Sequence, residues 1–220
     1  MDAPQHTVVA IDGPAASGKS SVARGVARRL KFVYVNSGAM YRAVTWFVLQ
    51  QKTDPRHTTA VLELFGVTKI RCGLTDHEST FTINGEDPTP FLCEENVNQN
   101  VSTIASIEQV RRALVALQRD YTKSHDLVME GRDIGSVVFP ETPYKFYIDA
   151  SPEVRARRRA AQGLTDEITV RDRRDSSRKA SPLVIAEDAH VIDSSTLTID
   201  GVVGEIIGRL KLKGLKINDE

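Results

Sequence analysis

The sequence is poor in cysteine and contains no long apolar run. Cys72 and Cys93 lie far apart among the 220 residues, and neither has a second Cys or His at metal-ligand spacing. A disulfide framework and a zinc site are therefore excluded, and both residues are interpreted as ordinary thiols. No segment approaches the ~20 apolar residues that cross a bilayer, and the first twelve residues do not resemble a signal peptide. We expect a cytoplasmic protein with no membrane partner.

An excess of charge of either sign is also lacking, because 29 Lys and Arg residues balance 29 Asp and Glu residues. The molecule therefore has no overall field that would draw it onto nucleic acid or an anionic membrane. Any basic site must be local. The length suits one main domain with an insertion, and we expect a monomer that does not bind nucleic acid.

Short apolar runs rich in β-branched residues alternate with helical patterns along the chain. The runs are residues 7–11, 32–35, 127–129, 144–148 and 190–192. Each is typical of a buried parallel strand, and the alternation favours helices on both faces of the sheet. The predicted fold class is therefore α/β, with a five-stranded parallel sheet flanked by helices.

The pattern changes between residues 64 and 97. Residues 67–71 and 80–83 are predicted to be short strands, and Asn84-Gly85 is a two-residue hairpin signal. We infer a small antiparallel insert over residues 64–97, which leaves residues 1–63 and 98–220 as the core.

Two serines are predicted to begin helices. Ser106 followed by Glu108 and Gln109 fits a capping box. Ser151 stands directly before Pro152, which suits the first turn of a helix.

A glycine-bearing loop follows the first predicted strand and precedes a helical pattern. This order of strand, loop and helix is the context that a phosphate-binding loop requires, because backbone N–H groups and the helix dipole then face one anion. Lys19 is predicted to contact the β- and γ-phosphates of ATP, and the Ser20 hydroxyl to bind Mg²⁺. The glycines are expected to keep the backbone accessible to the ligand. The predicted nucleotide-binding residues are Gly13, Pro14, Ala15, Ala16, Ser17, Gly18, Lys19, Ser20 and Ser21.

Arginines indicate what accepts the phosphate, and they lie in three other segments, residues 37–42, 130–135 and 171–178. Arg132 and Asp133 directly follow a buried strand, so they should face the phosphate loop. On a helix over residues 171–178, one face would carry Arg171, Arg174, Asp175 and Arg178. A phosphate monoester is largely dianionic at neutral pH, so as an acceptor it needs cations rather than a base. The alternative for residues 171–178 is a solvated helix with pairs of mixed sign.

These motifs resemble those of the bacterial cytidylate kinases, a family of nucleoside monophosphate kinases with a phosphate-binding loop (P-loop). The resemblance covers nearly the whole chain, and its most specific segments are residues 11–20, 37–42, 131–140 and 171–175. It implies a P-loop nucleoside monophosphate kinase-like fold with the small insert and a short lid at about residues 156–178.

The resemblance also implies roles for individual residues. Arg42, Arg132 and Arg178 would hold the acceptor phosphate, with Ser37 beside them. Ser102, Arg111 and Asp133 would surround cytosine, and Arg171 and Asp175 would lie near the ribose. Arg155 and Arg159 would serve the lid, Arg155 on the ATP side, while Arg157 and Arg158 are expected to face solvent. The predicted catalytic residues are Lys19, Arg132, Arg159 and Arg178.

Three of these assignments have alternatives. Ser102 could cap a helix or lie in a loop, and Arg111 could be an exposed helical residue. Asp133 could orient Mg²⁺-bound water instead of binding the base. The predicted function is ATP-dependent phosphorylation of CMP and dCMP. The alternatives are a kinase for UMP or another small metabolite, and a P-loop nucleotide-binding regulator that is not a kinase.

Overall fold

One sheet organises the chain in the computed structural model, which describes residues 6–161 and 183–217. Its strands in chain order are β1 (Val8–Asp12), β2 (Val33–Asn36), β3 (Ile70–Thr75), β4 (Glu78–Ile83), β5 (Leu127–Gly131), β6 (Tyr144–Asp149) and β7 (His190–Asp193). Across the sheet, their order among the described residues is β3-β4-β2-β5-β1-β6-β7. The five strands β2, β5, β1, β6 and β7 pair in parallel, which confirms the predicted α/β class and all five predicted parallel strands.

Helices cover both faces of this sheet. They are α1 (Lys19–Leu30), α2 (Ser37–Gln50), α3 (Thr58–Gly66), α4 (Glu95–Ile104), α5 (Glu108–Asp120), α6 (Pro152–Ala161) and α7 (Ile199–Leu212). The central strand divides its side chains between two cores. Val8 and Ala10 pack with α2, α4 and α5, while Val9 and Ile11 pack with α1 and α7. This period of two is what a strand buried on both faces produces.

The predicted insert contains an antiparallel hairpin and two tight turns. Strands β3 and β4 pair antiparallel, and Asp76 and His77 connect them with φ angles of 50° and 61°. The two-residue turn predicted at Asn84-Gly85 is also present. These residues form a second turn after β4, with φ angles of 53° and 90°, and close an isolated bridge from Ile83 to Glu86. Asp76-His77 lacks the glycine that usually marks such a left-handed turn, so the sequence signal was weak there.

The hairpin also extends the main sheet, because Glu78 of β4 pairs with Tyr34 of β2. The sheet therefore has seven strands in the described part of the chain, where five parallel strands and a separate insert were expected. The proposed limits of the insert, residues 64 and 97, remain a prediction.

One of the two predicted helix caps is present. Ser151 Oγ accepts a hydrogen bond from the backbone N–H of Val154 at 3.3 Å, so α6 begins as predicted. The capping box at Ser106 is wrong, because α5 begins after Ile107 and has no side-chain cap. Ser106 Oγ donates instead to the carbonyl of Thr103 at 2.7 Å, at the end of α4. Ser106 stands one residue before the N-cap position of α5, which Ile107 occupies.

Within the described ranges, no helix is both long enough and apolar enough to span a bilayer.

Helices α1 and α7 approach closely at a glycine. A Cβ atom at Gly25 would lie only 2.8 Å from Cγ2 of Val203, whereas one at Gly204 in α7 would meet no heavy atom within 4 Å. Alanine at Gly204 should therefore raise the free energy of unfolding by about 0.5–1 kcal/mol through helix propensity alone. Alanine at Gly25 has the same propensity gain but must displace Val203, at a cost of ~1–3 kcal/mol.

We expect Gly25→Ala to be less stable than Gly204→Ala by about 1–3 kcal/mol in urea unfolding. An equal gain in stability for both variants would contradict this, because it would show that Val203 can move away from a methyl group at residue 25 without loss of stability.

Candidate functional site

The register of the parallel strands brings several loops to one edge of the sheet. Asp12 at the end of β1 pairs with Gly131 of β5, and Asn36 at the end of β2 pairs with Glu130. The carboxyl ends of the three strands are therefore level. Beyond them opens a crevice of about 660 Å³, at the position where open α/β sheets bind ligands.

The phosphate-binding loop forms one wall of this crevice. It ends at Gly18, which has a left-handed φ of 90° and precedes the first residue of α1, Lys19. The Nζ atom of Lys19 donates to the carbonyl of Pro14 at 3.2 Å and lies 3.8 Å from Oε2 of Glu130. Ser20 and Ser21 follow on the same wall. The N-terminus of α1 and a buried ammonium group therefore face the same space, which suits polyphosphate.

The two glycines of this loop are required for reasons other than ligand access. A Cβ atom at Gly13 would collide with the carbonyl oxygen of Ile148 at the end of β6. At Gly18 the nearest atom would be Nη1 of Arg158 at 3.5 Å, so the left-handed backbone rather than crowding favours glycine there.

Three arginines gather in the crevice that also contains Lys19. Arg42 on α2, Arg132 after β5 and Arg159 on α6 all line the crevice. Burial lowers the pKa of Arg42; the negative charge of Glu130 opposes this effect, and the charges of Arg132 and Arg159 add to it. The three guanidinium groups therefore share one region. Arg132 also donates to the carbonyl of Gly13 at 2.8 Å, which ties this cluster to the phosphate-binding loop.

A buried ion pair lies deeper in the crevice. Arg111 on α5 is 4% exposed and donates through Nη2 to Oδ2 of Asp133, which is 5% exposed. Nη1 of Arg111 donates to the carbonyl of Ala105 at 3.2 Å, and its guanidinium lies 5.3 Å from the ring centre of Tyr41. Arg111 is thus not an exposed helical residue.

The described residues leave one polar atom of this pair without a hydrogen bond. The buried Nε of Arg111 has no hydrogen-bond partner among the described residues. Ser102 lines the same end of the crevice from inside α4 and is 7% exposed, so it lies neither in a loop nor at a helix cap. A polar ligand with donors and acceptors on one edge fits this end of the site.

The segment that carries Asp133 is held from two sides. Asp12 accepts hydrogen bonds from the backbone N–H groups of Ile134 and Gly135, both at 2.8 Å. Arg119 on α5 donates to the carbonyls of Val137 and Val138 at 2.9 and 2.8 Å. These bonds fix the π-helical turn Ile134–Val138, and hence the position of Asp133 at its start.

The arginines of α6 do not all lie where they were predicted to lie. Arg159 lines the crevice as expected, but Arg155 does not. Its buried guanidinium donates to the carbonyls of Ala150 and Ala15 at 3.1 and 3.3 Å, so it supports the phosphate-binding loop from behind. The prediction that Arg158 faces solvent is wrong. Arg158 donates to the carbonyls of Ser17 and Ser194, whereas Arg157 is exposed as predicted.

Glu130 is the site residue that the sequence analysis missed. It is 3% exposed, lines the crevice, and lies near both Lys19 and Arg42. The sequence did offer one signal for Glu130, because this residue stands directly before Gly131 at the end of a buried strand. Ser37 lines the crevice as predicted, and its hydroxyl donates to the carbonyl of Glu130 at 2.7 Å. Asn36 caps α2 by accepting a hydrogen bond from the backbone N–H of Ala39 at 3.0 Å.

A stacked aromatic pair holds the outer wall of the crevice. Phe91 belongs to the 3-10 turn Thr89–Phe91, and its ring lies 5.4 Å from that of Trp46 with an interplanar angle of 7°. The neighbouring Leu92 and Cys93 line the crevice. The stack therefore fixes this segment against α2.

The oxygen atoms near Lys19 fit a magnesium ion held mainly by phosphates. Such ions usually keep one or two protein ligands and several waters. Ser20 and Glu130 both line the crevice, so a hydroxyl and a carboxylate are available to such an ion. No cluster of three His, Cys, Asp or Glu side chains occurs in the described part of the chain, so a cage made only of protein ligands is not present there.

Part of the predicted site lies outside the described residues. This part comprises Arg171, Asp175 and Arg178, together with most of the predicted lid. Their proposed roles at the ribose and at the acceptor phosphate remain predictions.

Comparison with known proteins identifies close relatives over almost the whole chain. The family model described as cytidylate kinase matches residues 9–212. The cytidylate kinase of Desulforamulus reducens is 44% identical over 92% of this chain and 96% of its own length. That of Mycobacterium leprae is 43% identical over 93% and 95%, and that of Lactiplantibacillus plantarum is 41% identical over 93% and 94%.

Asp12 makes the stability of the folded protein depend on pH. Burial raises the pKa of this carboxyl from 3.8 to about 7, although the N–H groups of Gly135 and Ile134 oppose the shift. A carboxyl group with a raised pKa in the folded state binds its proton more tightly there than in the unfolded chain. Its contribution to stability is therefore present below about pH 4 and is lost as the pH rises through about 7.

The Asp12→Asn variant has no carboxyl group at this position, so it lacks this pH-dependent contribution to stability. We expect the free energy of unfolding of the wild type to fall relative to Asp12→Asn between pH 4 and 7, by up to ~1.4 kcal/mol per pH unit. Urea unfolding across this range measures the difference. Parallel pH curves for the two proteins would contradict the raised pKa.

Proposed function

The chain belongs to the cytidylate kinase family, and we propose that its crevice holds the two substrates of that family face to face. The enzyme catalyses the ATP-dependent phosphorylation of CMP and dCMP to CDP and dCDP. ATP would bind on the wall formed by the phosphate-binding loop, and CMP or dCMP on the wall formed by the arginines. A kinase for UMP or another metabolite, and a regulator without kinase activity, are not favoured by these relatives.

The convergence of Arg42, Arg132 and Arg159 in the crevice that also contains Lys19 carries the proposal. An acceptor hydroxyl would need a base, whereas an acceptor phosphate is already ionised and needs its charge neutralised. Guanidinium groups bind phosphate oxygens in pairs and can hold the attacking oxygen in line. Three of them on one wall suit a phosphate monoester far better than a sugar hydroxyl.

The cytosine ring would bind at the end of the crevice that contains Ser102, Arg111 and Asp133. Cytosine offers an amino donor at N4 and acceptors at N3 and O2. Asp133 would accept from N4, and the guanidinium of Arg111 would donate to the ring acceptors. The contact between Arg111 and Asp133 supports base binding over the alternative in which Asp133 orients metal-bound water.

The donor site would use Lys19, Ser20 and Glu130. Ser20 would bind Mg²⁺ directly, and Glu130 would accept hydrogen bonds from waters around it. A bound magnesium ion would neutralise charge between the β- and γ-phosphates. Lys19 would transfer its hydrogen bond from the carbonyl of Pro14 to the phosphates.

In the reaction, an oxygen of the acceptor phosphate attacks the γ-phosphorus of ATP in line, and ADP leaves. Lys19 and the arginines stabilise the charge on the equatorial oxygens of the transferring group. Arg132 is well placed for this because it contacts both the acceptor wall and the phosphate-binding loop. No nucleophile or general base from the protein is needed. We further propose that the enzyme acts as a cytoplasmic monomer.

The function is tested by measuring ADP release with a panel of acceptors. CMP and dCMP should support turnover, UMP should support less, and AMP and small alcohols should support little. The physical reason is that only a pyrimidine monophosphate with an amino donor at N4 satisfies both the arginines and Asp133. Turnover confined to an alcohol would refute the proposed function.

Arg111→Met tests the proposed binding of the base. Removing the guanidinium should lower the ratio of kcat/KM for CMP to that for UMP by about tenfold, since one such contact is worth ~1–3 kcal/mol. The ratio is insensitive to any loss of folded protein. Arg112→Met is the matched control, because Arg112 is the next residue of α5 and its side chain is 71% exposed. An unchanged ratio in Arg111→Met would exclude Arg111 from base selection.

A further inference from the structure

Tyr34 lies beneath the donor side of the crevice without lining it. It is 3% exposed in the core formed by β1, α1 and α7, and its hydroxyl donates to Oε1 of Glu130 at 2.9 Å. The two residues are adjacent across the sheet because β2 and β5 pair in parallel, with Tyr34 opposite Val128 and Asn36 opposite Glu130. The alternation of side chains puts both on the α1 face of the sheet.

The hydroxyl remains a donor at neutral pH. Burial, followed by the negative charge of Glu130, raises the pKa of Tyr34 far above its ordinary value. Arg24 on α1 fixes the ring from its outer side, since its guanidinium lies 4.6 Å from the ring centre. Two hydrogen bonds, of 2.6 and 3.1 Å, hold this guanidinium on Glu78 of the edge hairpin.

The other carboxylate oxygen of Glu130 faces the catalytic lysine. Oε2 lies 3.8 Å from Nζ of Lys19, while Oε1 is bonded to Tyr34. Both partners of this ion pair are buried, with 4% and 10% side-chain exposure, so their attraction is screened little by water. If both oxygens turned to Lys19, the lysine would be held more strongly.

We propose that Tyr34 is a positioning residue for ATP binding. By holding Oε1 of Glu130, it prevents this carboxylate from closing with both oxygens on Lys19, so the lysine can exchange to the phosphates of ATP. The inference rests on the proposed binding of ATP at the phosphate-binding loop. Glu130 thus divides its two oxygens between the neutral hydroxyl of Tyr34 and the ammonium group of Lys19.

Tyr34→Phe removes one oxygen atom and retains the ring that packs between Arg24 and the core. We expect it to weaken the binding of ATP in the absence of Mg²⁺ by about tenfold in isothermal titration calorimetry, because Lys19 then stays with Glu130. The affinity for CMP should change by less than about twofold, since Tyr34 does not line the crevice. An unchanged or increased affinity for ATP would overturn the proposal, and so would an equal loss of affinity for CMP.

The same substitution in a Glu130→Gln background separates positioning from simple packing. Without the carboxylate, Tyr34→Phe should alter ATP affinity by less than about twofold. A tenfold loss in that background would show that Tyr34 acts through the core and would overturn the proposal. Tyr121→Phe is the matched control, because it removes a tyrosine hydroxyl that donates to the carbonyl of Gly73 and lies outside the crevice. It should leave ATP affinity unchanged.

Glu130→Gln in the otherwise unchanged chain provides an independent test should Tyr34→Phe fold poorly. The amide oxygen can still accept from Tyr34, but the charge that retains Lys19 and repels the phosphates is gone. Binding of ATP without Mg²⁺ should tighten at least about threefold, and no change would overturn the proposal. Neither titration of ATP depends on which compound is the acceptor. If CMP failed as an acceptor, the proposed function would be refuted. The role of Tyr34 would still be decided by the titrations of ATP.

Discussion

The parallel pairing of β5 with β1 on one side and β2 on the other is the constraint on which the site depends. The register makes Asp12 level with Gly131 and Asn36 level with Glu130. The phosphate-binding loop, the first turn of α2 and the segment with Arg132 and Asp133 therefore leave the sheet at one height. A shift of one residue in either pairing would turn Glu130 and its neighbours to the opposite face of the sheet.

The charged side chains of the crevice are arranged in two ways: some form an ion pair, and others of like charge lie close together. Arg111 and Asp133 neutralise each other where a neutral base is proposed to bind. Where the acceptor phosphate is proposed to bind, burial is the main cause of the lowered pKa of Arg42, and repulsion from Arg132 and Arg159 lowers it further. A dianionic phosphate would relieve that repulsion. The same positive field would help to stabilise the charge that develops during transfer.

Several polar groups near the crevice support its shape rather than face a ligand. Arg155 and Arg158 donate to carbonyls of the phosphate-binding loop, and Asp12 accepts from two backbone N–H groups beside Asp133. Buried polar groups of this kind must be paired, and paired networks hold the backbone in one arrangement. A preformed loop loses less conformational entropy when it binds polyphosphate.

The sequence alone was sufficient for the five parallel strands, the α/β class and the phosphate-binding loop. These depend on local apolar patterns and on the order of strand, loop and helix. It also predicted that Arg132 and Asp133 would face the loop, because the ends of parallel strands share one edge of the sheet. Only the tertiary structure decided that Arg111 is buried against Asp133, that Arg158 supports the loop, and that Tyr34 holds Glu130. The last two contacts join residues 141 and 96 positions apart, and side-chain contacts of that kind leave no periodic signal in the sequence.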